Sequence, residues 1–138
     1  MTDLAARIDA LWGRRDELDP ADDEVIATIR EAIDLLDAGE ARVAEIGPDG
    51  DVEVHEWLKH AIALLFRTAG MQTIELGPFE YADKIPLKTD YAAHGVRVVP
   101  GASARWGSYL APGVIMMPSY TNIGAYVGEN TMVDTWAT

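Results

Sequence analysis

From Tyr109 onward the chain repeats every six residues, as YLAPGV, IMMPSY, TNIGAY, VGENTM and VDTWAT. The first place of each unit holds Tyr109, Ile115, Thr121, Val127 or Val133. The fifth holds Gly113, Ser119, Ala125, Thr131 or Ala137, all small. One unit earlier, SARWGS keeps a small fifth residue, Gly107, behind a weaker first one, Ser103. A period of six is neither the 3.6 of a helix nor the 2 of an ordinary strand. It fits a parallel β-helix, in which the chain turns a corner after every short strand. The first-place side chain then points into a narrow core and the fifth sits where only a small group fits. Gly and Asn tolerate the corner conformations. The pattern predicts short β segments, and no helix, over residues 109–138.

Ahead of Arg97 the periodicity is helical. Leu4, Ile8, Leu11 and Trp12 share one face over residues 3–15. Asp19-Pro20 supplies an N-cap and a first-turn proline for a second helix, whose stripe is Val25, Ile29, Ala32, Ile33 and Leu36 and whose stop is Gly39. ARVAEIGPDGDVEV sets two β-prone runs around Pro48-Asp49-Gly50, a hairpin pattern. HEWLKHAIALLFRTAG predicts a third helix ending near Gly70, with Trp57, Leu58, Ala61, Ile62 and Leu65 facing inward. MQTIEL reads as a short strand, and the chain through EYADKIPLKTDYAAHG as irregular. The expected class is α+β: an α-rich domain with a β-hairpin over residues 1–96, then the start of a solenoid over 97–138.

Charge follows the same division. The net charge is -12, and residues 1–56 hold most of the carboxylates, including DPADDE at 19–24. From Arg97 to Thr138 the only charged residues are Arg97, Arg105, Glu129 and Asp134. An acidic chain repels phosphate backbones, so no nucleic-acid partner is expected. No apolar run approaches the ~18–20 residues that span a bilayer, and no membrane partner is expected. The start, MTDLAARIDALWGRR, lacks the basic segment and apolar core of a secretory signal. With no cysteine for disulfides or thiolate metal sites, the chain suits the cytoplasm.

The blocks ALWGRRDELDPA, AIDLLDAGEARVAE, HEWLKHAIALLFR, DKIPLK and GVRVVPGASARWGSYLAPGVIMMPSYTNIGAYVGENTMVDTWAT carry a resemblance over nearly the whole chain. They resemble the tetrahydrodipicolinate N-succinyltransferases, left-handed β-helix acyltransferases (hexapeptide-repeat family) of bacterial lysine and diaminopimelate synthesis. The chain departs from the family at residues 88–96, where KTDYAAHGV is shorter than the equivalent loop of many relatives. The resemblance implies a left-handed coil, a homotrimer with active sites between neighbouring subunits, and a longer protein with further coils and a C-terminal segment. Five or six hexads make only about two three-sided coils. The chain therefore reads as an N-terminal portion, expected to be inactive alone.

Family enzymes move a succinyl group from succinyl-CoA, a co-substrate and not a permanently bound cofactor, to the amine of ring-opened tetrahydrodipicolinate. The amine must be unprotonated when it attacks the thioester, and a carboxylate within hydrogen-bond reach takes its proton. The substrate's two carboxylates need cationic or amide donors. By itself, Asp134 in MVDTWAT is a lone Asp beside a corner, ordinarily a solvated turn residue. The resemblance makes it a substrate-binding and catalytic aspartate. Arg97, in GVRVVP, is by itself a surface arginine facing an acidic domain. The resemblance makes it a substrate-binding residue whose guanidinium pairs a carboxylate.

Trp136 and Met132 lie near Asp134 in sequence, as pocket walls or as subunit packing. Lys84 and Lys88 read as solvated loop lysines that could attract anions. His55, His60 and His94 lack ligand spacing, so no metal site is expected. GPDG and GASARWG lack the phosphate-loop form. The resemblance places the acyl-CoA groove in coils beyond these residues, so no cofactor-binding residue is expected here. Two alternatives stand beside succinyl transfer: an acetyl-CoA-dependent transferase on the same substrate, and a non-catalytic β-helix trimerisation scaffold.

Overall fold

A computed structural model describes residues 2–138. Three helices pack into one core: α1 (Thr2–Gly13), α2 (Asp23–Ala38) and α3 (Glu56–Thr68). The apolar stripes meet there as expected. Leu4, Ile8 and Leu11 of α1, Val25, Ile29, Ala32, Ile33 and Leu36 of α2, and Leu58, Ala61 and Leu65 of α3 are all buried. Each fully buried Ile or Leu is worth about 1.5–3 kcal/mol of transfer free energy. Two buried residues come from outside the expected stripes, Leu64 of α3 and Ile85 of the DKIPLK segment. No helix among the described residues is long and apolar enough to cross a membrane.

The cap of α2 differs from the sequence expectation. Asp22, not Asp19, is the N-cap, and its carboxylate accepts from the amides of Glu24 (2.9 Å) and Val25 (3.3 Å). Asp19 instead closes a separate turn, accepting from the Ala21 amide at 2.9 Å. A cap must stand immediately before the helical amides it satisfies, and Pro20 lies one turn too early for that. At the other end Gly39, with φ +74°, stops α2 as expected.

Strands β1 (Ala44–Ile46) and β2 (Val52–Val54) form the expected antiparallel hairpin across Pro48-Asp49-Gly50. A second hairpin, β3 (Gln72–Leu76) with β4 (Phe79–Asp83), replaces part of the stretch read as irregular. FEYAD mixes strand-favouring Phe79 and Tyr81 with Glu80, Ala82 and Asp83, which strands disfavour, so local propensity is divided. Its pairing with β3 across Gly77-Pro78 decides the outcome. Ile74 faces Tyr81 and Leu76 faces Phe79 on one side of this ribbon, and all four are exposed. A short 3₁₀ turn, Tyr91–His94, lies in the same region.

From Arg97 the chain runs through seven two-residue strands: β5 (Arg97–Val98), β6 (Ser103–Ala104), β7 (Tyr109–Leu110), β8 (Ile115–Met116), β9 (Tyr120–Thr121), β10 (Tyr126–Val127) and β11 (Met132–Val133). All their mutual pairings are parallel: β5 and β11 flank β8, β6 pairs with β9, and β7 with β10. The fold is mixed α/β, three helices beside short parallel sheets. No helix occurs within residues 109–138.

The register corrects the hexad assignment. Thr121, Val127 and Val133 turn toward the inner cluster as expected and Tyr109 packs half-buried against it, but Ile115 does not; Leu110 and Met116 are the fully buried residues of their strands. Likewise Ala104, not Ser103, is the buried residue of its strand. The side from Met116 to Thr121 has five residues, not six, so the phase slips by one. Pairing offsets record the slip: Arg97 faces Ile115, whereas Ser103 faces Tyr120, Tyr109 faces Tyr126 and Ile115 faces Met132. The corners explain it. Gly95, Gly101, Gly107, Gly113, Gly124, Asn130 and Trp136 all have positive φ. One corner lacks it: Ser119, six residues after Gly113, follows Pro118 as Gly101 follows Pro100 and Gly113 follows Pro112, but it is not among the positive-φ residues. The small fifth places are thus of two kinds. Gly107 and Gly113 are the corners themselves, while Ala125, Thr131 and Ala137 follow them.

Coils and helices meet through apolar and polar contacts. Trp106 and Ile123 pack on the helical core. Asp37 of α2 accepts from the Gly107 amide (2.8 Å) and pairs with Lys88, and Trp106 Nε1 donates to Asp34 at 3.0 Å. Lys84 donates to the Phe66 carbonyl at 2.7 Å. Neither Lys84 nor Lys88 is therefore a solvated loop lysine, because each ammonium ties the connecting segment to a helix.

Candidate substrate site on the outer face of one sheet

Arg97 opens β5 and Asp134 directly follows β11, two edges of the three-stranded sheet β5–β8–β11. Side chains alternate across a strand, and Val98, Met116 and Val133 point inward. Their neighbours therefore point outward. One outer row is Arg97, Ile115 and Met132, which are register partners. The next row is Val99, Met117 and Asp134, where the Val99 amide donates to the Met116 carbonyl and the Met117 amide to the Val133 carbonyl, both at 2.9 Å. Arg97 and Asp134 occupy diagonal corners of this face, and both are exposed. Two strand spacings and two residues along the strand separate their Cα atoms by about 12 Å. Between them lies an apolar floor of Val99, Ile115, Met117 and Met132.

The two charged groups differ in how they are held. Among the described residues Arg97 has no carboxylate partner, which leaves its guanidinium fork available to an anion. Asp134 uses one oxygen to accept from the Thr135 amide at 2.7 Å. That bond orients the carboxylate and leaves its second oxygen for another donor.

The floor was not legible in the hexads, which assigned Ile115 to the interior. Ser119, six residues after Gly113 where the neighbouring corners carry Gly, was the available signal that the phase had changed. Met132, 57% exposed, belongs to the floor, and Trp136, 85% exposed, stands at its rim. Elsewhere, a cavity of about 500 Å³ opens between α2, residues 88–96 and β7, lined by Asp34, Asp37, Lys88, Tyr91 and His94 among others. Burial there pushes the Tyr91 phenol above its ordinary pKa. The histidines are individually engaged: His55 with Glu45 at 2.7 Å, His60 with Asp9 at 2.8 Å, and His94 with the Asp90 carbonyl at 3.0 Å. No group of three or more His, Asp or Glu residues suited to a metal ion occurs among the described residues.

The family profile described as "Tetrahydrodipicolinate N-succinyltransferase N-terminal" matches residues 3–68. Three curated relatives are named 2,3,4,5-tetrahydropyridine-2,6-dicarboxylate N-succinyltransferase. The one from Methylorubrum extorquens is 46% identical over 145 residues, covering 99% of this chain and 51% of the relative. That from Sodalis glossinidius is 45% identical, covering 100% and 53%, and that from Xylella fastidiosa 47% identical, covering 85% and 44%. The chain is similar to the tetrahydrodipicolinate N-succinyltransferases along its whole length. It spans about half the length of the curated relatives it matches. The sheet face offers a cation, an apolar floor and a carboxylate.

Proposed function

We propose that the chain supplies the amine-substrate side of an N-succinyltransferase acting on tetrahydrodipicolinate, with succinyl-CoA as acyl donor, in diaminopimelate and lysine synthesis. The observation that carries this reading is the diagonal placement of Arg97 and Asp134 across one apolar sheet face. Arg97 pairs a substrate carboxylate through its planar fork. The carbon chain crosses Ile115 and Met117, which brings the amine toward Asp134. The nitrogen attacks the thioester carbonyl, an N–C bond forms, the C–S bond breaks and CoA leaves as its thiolate, which takes a proton from solvent. Asp134 takes the proton that the nitrogen sheds. The pairing offsets of 17 and 18 residues support a three-sided coil, here read as the start of a left-handed β-helix that assembles as a homotrimer in the cytoplasm.

A chimera tests the reading. The 138 residues replace the matching half of the Methylorubrum extorquens relative, and thiol release from succinyl-CoA is followed with and without tetrahydrodipicolinate. Release that requires tetrahydrodipicolinate is the expected result. Release without it, or none, overturns the proposal. In the same chimera Arg97→Lys keeps the charge but loses the fork. Its KM for tetrahydrodipicolinate rises about 10-fold, the size of one lost charge-assisted hydrogen bond, while KM for succinyl-CoA changes little.

A further inference from the structure

One corner of the coils breaks the rule that the others obey. Four-residue turns close at Val99–Ala102, Arg105–Ser108, Ala111–Val114, Asn122–Ala125 and Gly128–Thr131, each by an amide of the fourth residue bonded to the carbonyl of the first. Their third residues are Gly101, Gly107, Gly113, Gly124 and Asn130, all with positive φ. That geometry, with positive φ at the third place only, is a type II turn and calls for Gly or Asn there. The turn Asp134–Ala137 is built the same way, with the Ala137 amide 3.0 Å from the Asp134 carbonyl. Its third residue is Trp136, at φ +63°. A bulky side chain in this region is strained, and such strain gathers at functional sites. Among the described residues Trp136 is 85% exposed.

The backbone holds this residue firmly. Its amide donates to the Pro118 carbonyl at 2.8 Å, and the Asp134 carboxylate pins the next amide of the turn at 2.7 Å. Asp134 and Trp136 are thus the first and third residues of one rigid turn, at the end of the apolar floor. We propose that Trp136 is a specificity-determining residue of the amine-substrate site, its indole forming the side wall against which the carbon chain of the dicarboxylate packs beside Asp134. This rests on the functional reading above. An indole suits the task, since it offers a large, stiff apolar face at little conformational cost. The corner holds positive φ, and Trp136 is the one large side chain among the residues at these positive-φ corners.

The chimera again provides the test, with Trp136→Asn, the residue that serves at the preceding corner, and Trp136→Phe. Removing an aromatic wall raises KM for tetrahydrodipicolinate about 10–100-fold. Trp136→Phe, which keeps a ring, stays within about 5-fold of the parent. Because Asn accepts this backbone, the Tm of Trp136→Asn stays level or rises by up to about 4 °C. A fall in Tm with KM unchanged would assign Trp136 to packing and overturn the proposal, as would an unchanged KM at any Tm. Calorimetric titration with tetrahydrodipicolinate separates the two readings. Binding that Trp136→Asn weakens, in a chimera that forms no N-succinyl product, sinks the acyl-transfer reading but keeps the wall. Product formed by Trp136→Asn at the parent KM does the reverse.

Discussion

Asp134→Asn in the chimera lowers kcat for N-succinylation about 10²–10⁴-fold, the usual cost of losing a general base. The substitution is nearly isosteric. An Asn side-chain oxygen can still accept from the Thr135 amide, as Asp134 does at 2.7 Å, so the turn keeps its shape. What disappears is the second oxygen's ability to take a proton from the attacking amine. Asp134 is exposed, and surface substitutions away from packing change stability by about 0.5 kcal/mol or less. Tm and the KM for succinyl-CoA therefore stay near the parent values while kcat collapses. Steady-state CoA release, measured beside a thermal melt, checks all three. A kcat within a factor of two of the parent removes Asp134 from proton transfer.

Gly107→Ala destabilises the chain by about 2–5 kcal/mol, from two separable causes. The first is conformational: φ is +83° at this corner, and an L-residue there costs roughly 1–2 kcal/mol. The second is steric. An added Cβ would sit 2.7 Å from Ile123 Cγ1 and 2.8 Å from Ile33 Cγ2, and overpacking a filled core costs about 1–3 kcal/mol. Ile33 is fully buried in α2, so the methyl would push the helices off the coils. Gly101→Ala is the control. It too has positive φ, but its Cβ would find only Pro118 Cβ, at 3.8 Å. It loses the conformational part alone. Urea denaturation of the two variants reads the difference. Equal losses would mean that the joint between helices and coils is not tightly packed at Gly107.

The helices were legible because their information is local. A stripe such as Val25, Ile29, Ala32, Ile33 and Leu36 buries itself on any apolar neighbour, and Gly39 ends the helix by its own backbone freedom. The first hairpin was legible through Pro48-Asp49-Gly50. The second was not, since Glu80, Ala82 and Asp83 offset the strand preference of Phe79 and Tyr81, and pairing with Gln72–Leu76 decides the outcome. Lys84 and Lys88 looked like loop charges because their partners, the Phe66 carbonyl and Asp37, lie 18 and 51 residues away. No local rule joins such positions.

By itself the sequence determined that the chain after Arg97 turns corners at a spacing of about six residues, that helices precede it, and which two charged residues, Arg97 and Asp134, family likeness singles out. It did so because periodicity, turn residues and motif blocks are written along the chain. Only the tertiary structure decided which side of each short strand faces inward, since a slip of one residue at Pro118 exchanges the two faces of a strand. That exchange buries Met116, turns Ile115 and Met117 outward, and makes a floor between Arg97 and Asp134. It also set Trp136 at a corner where the other positive-φ coil turns have Gly or Asn, a strain that backbone geometry reveals and residue order does not.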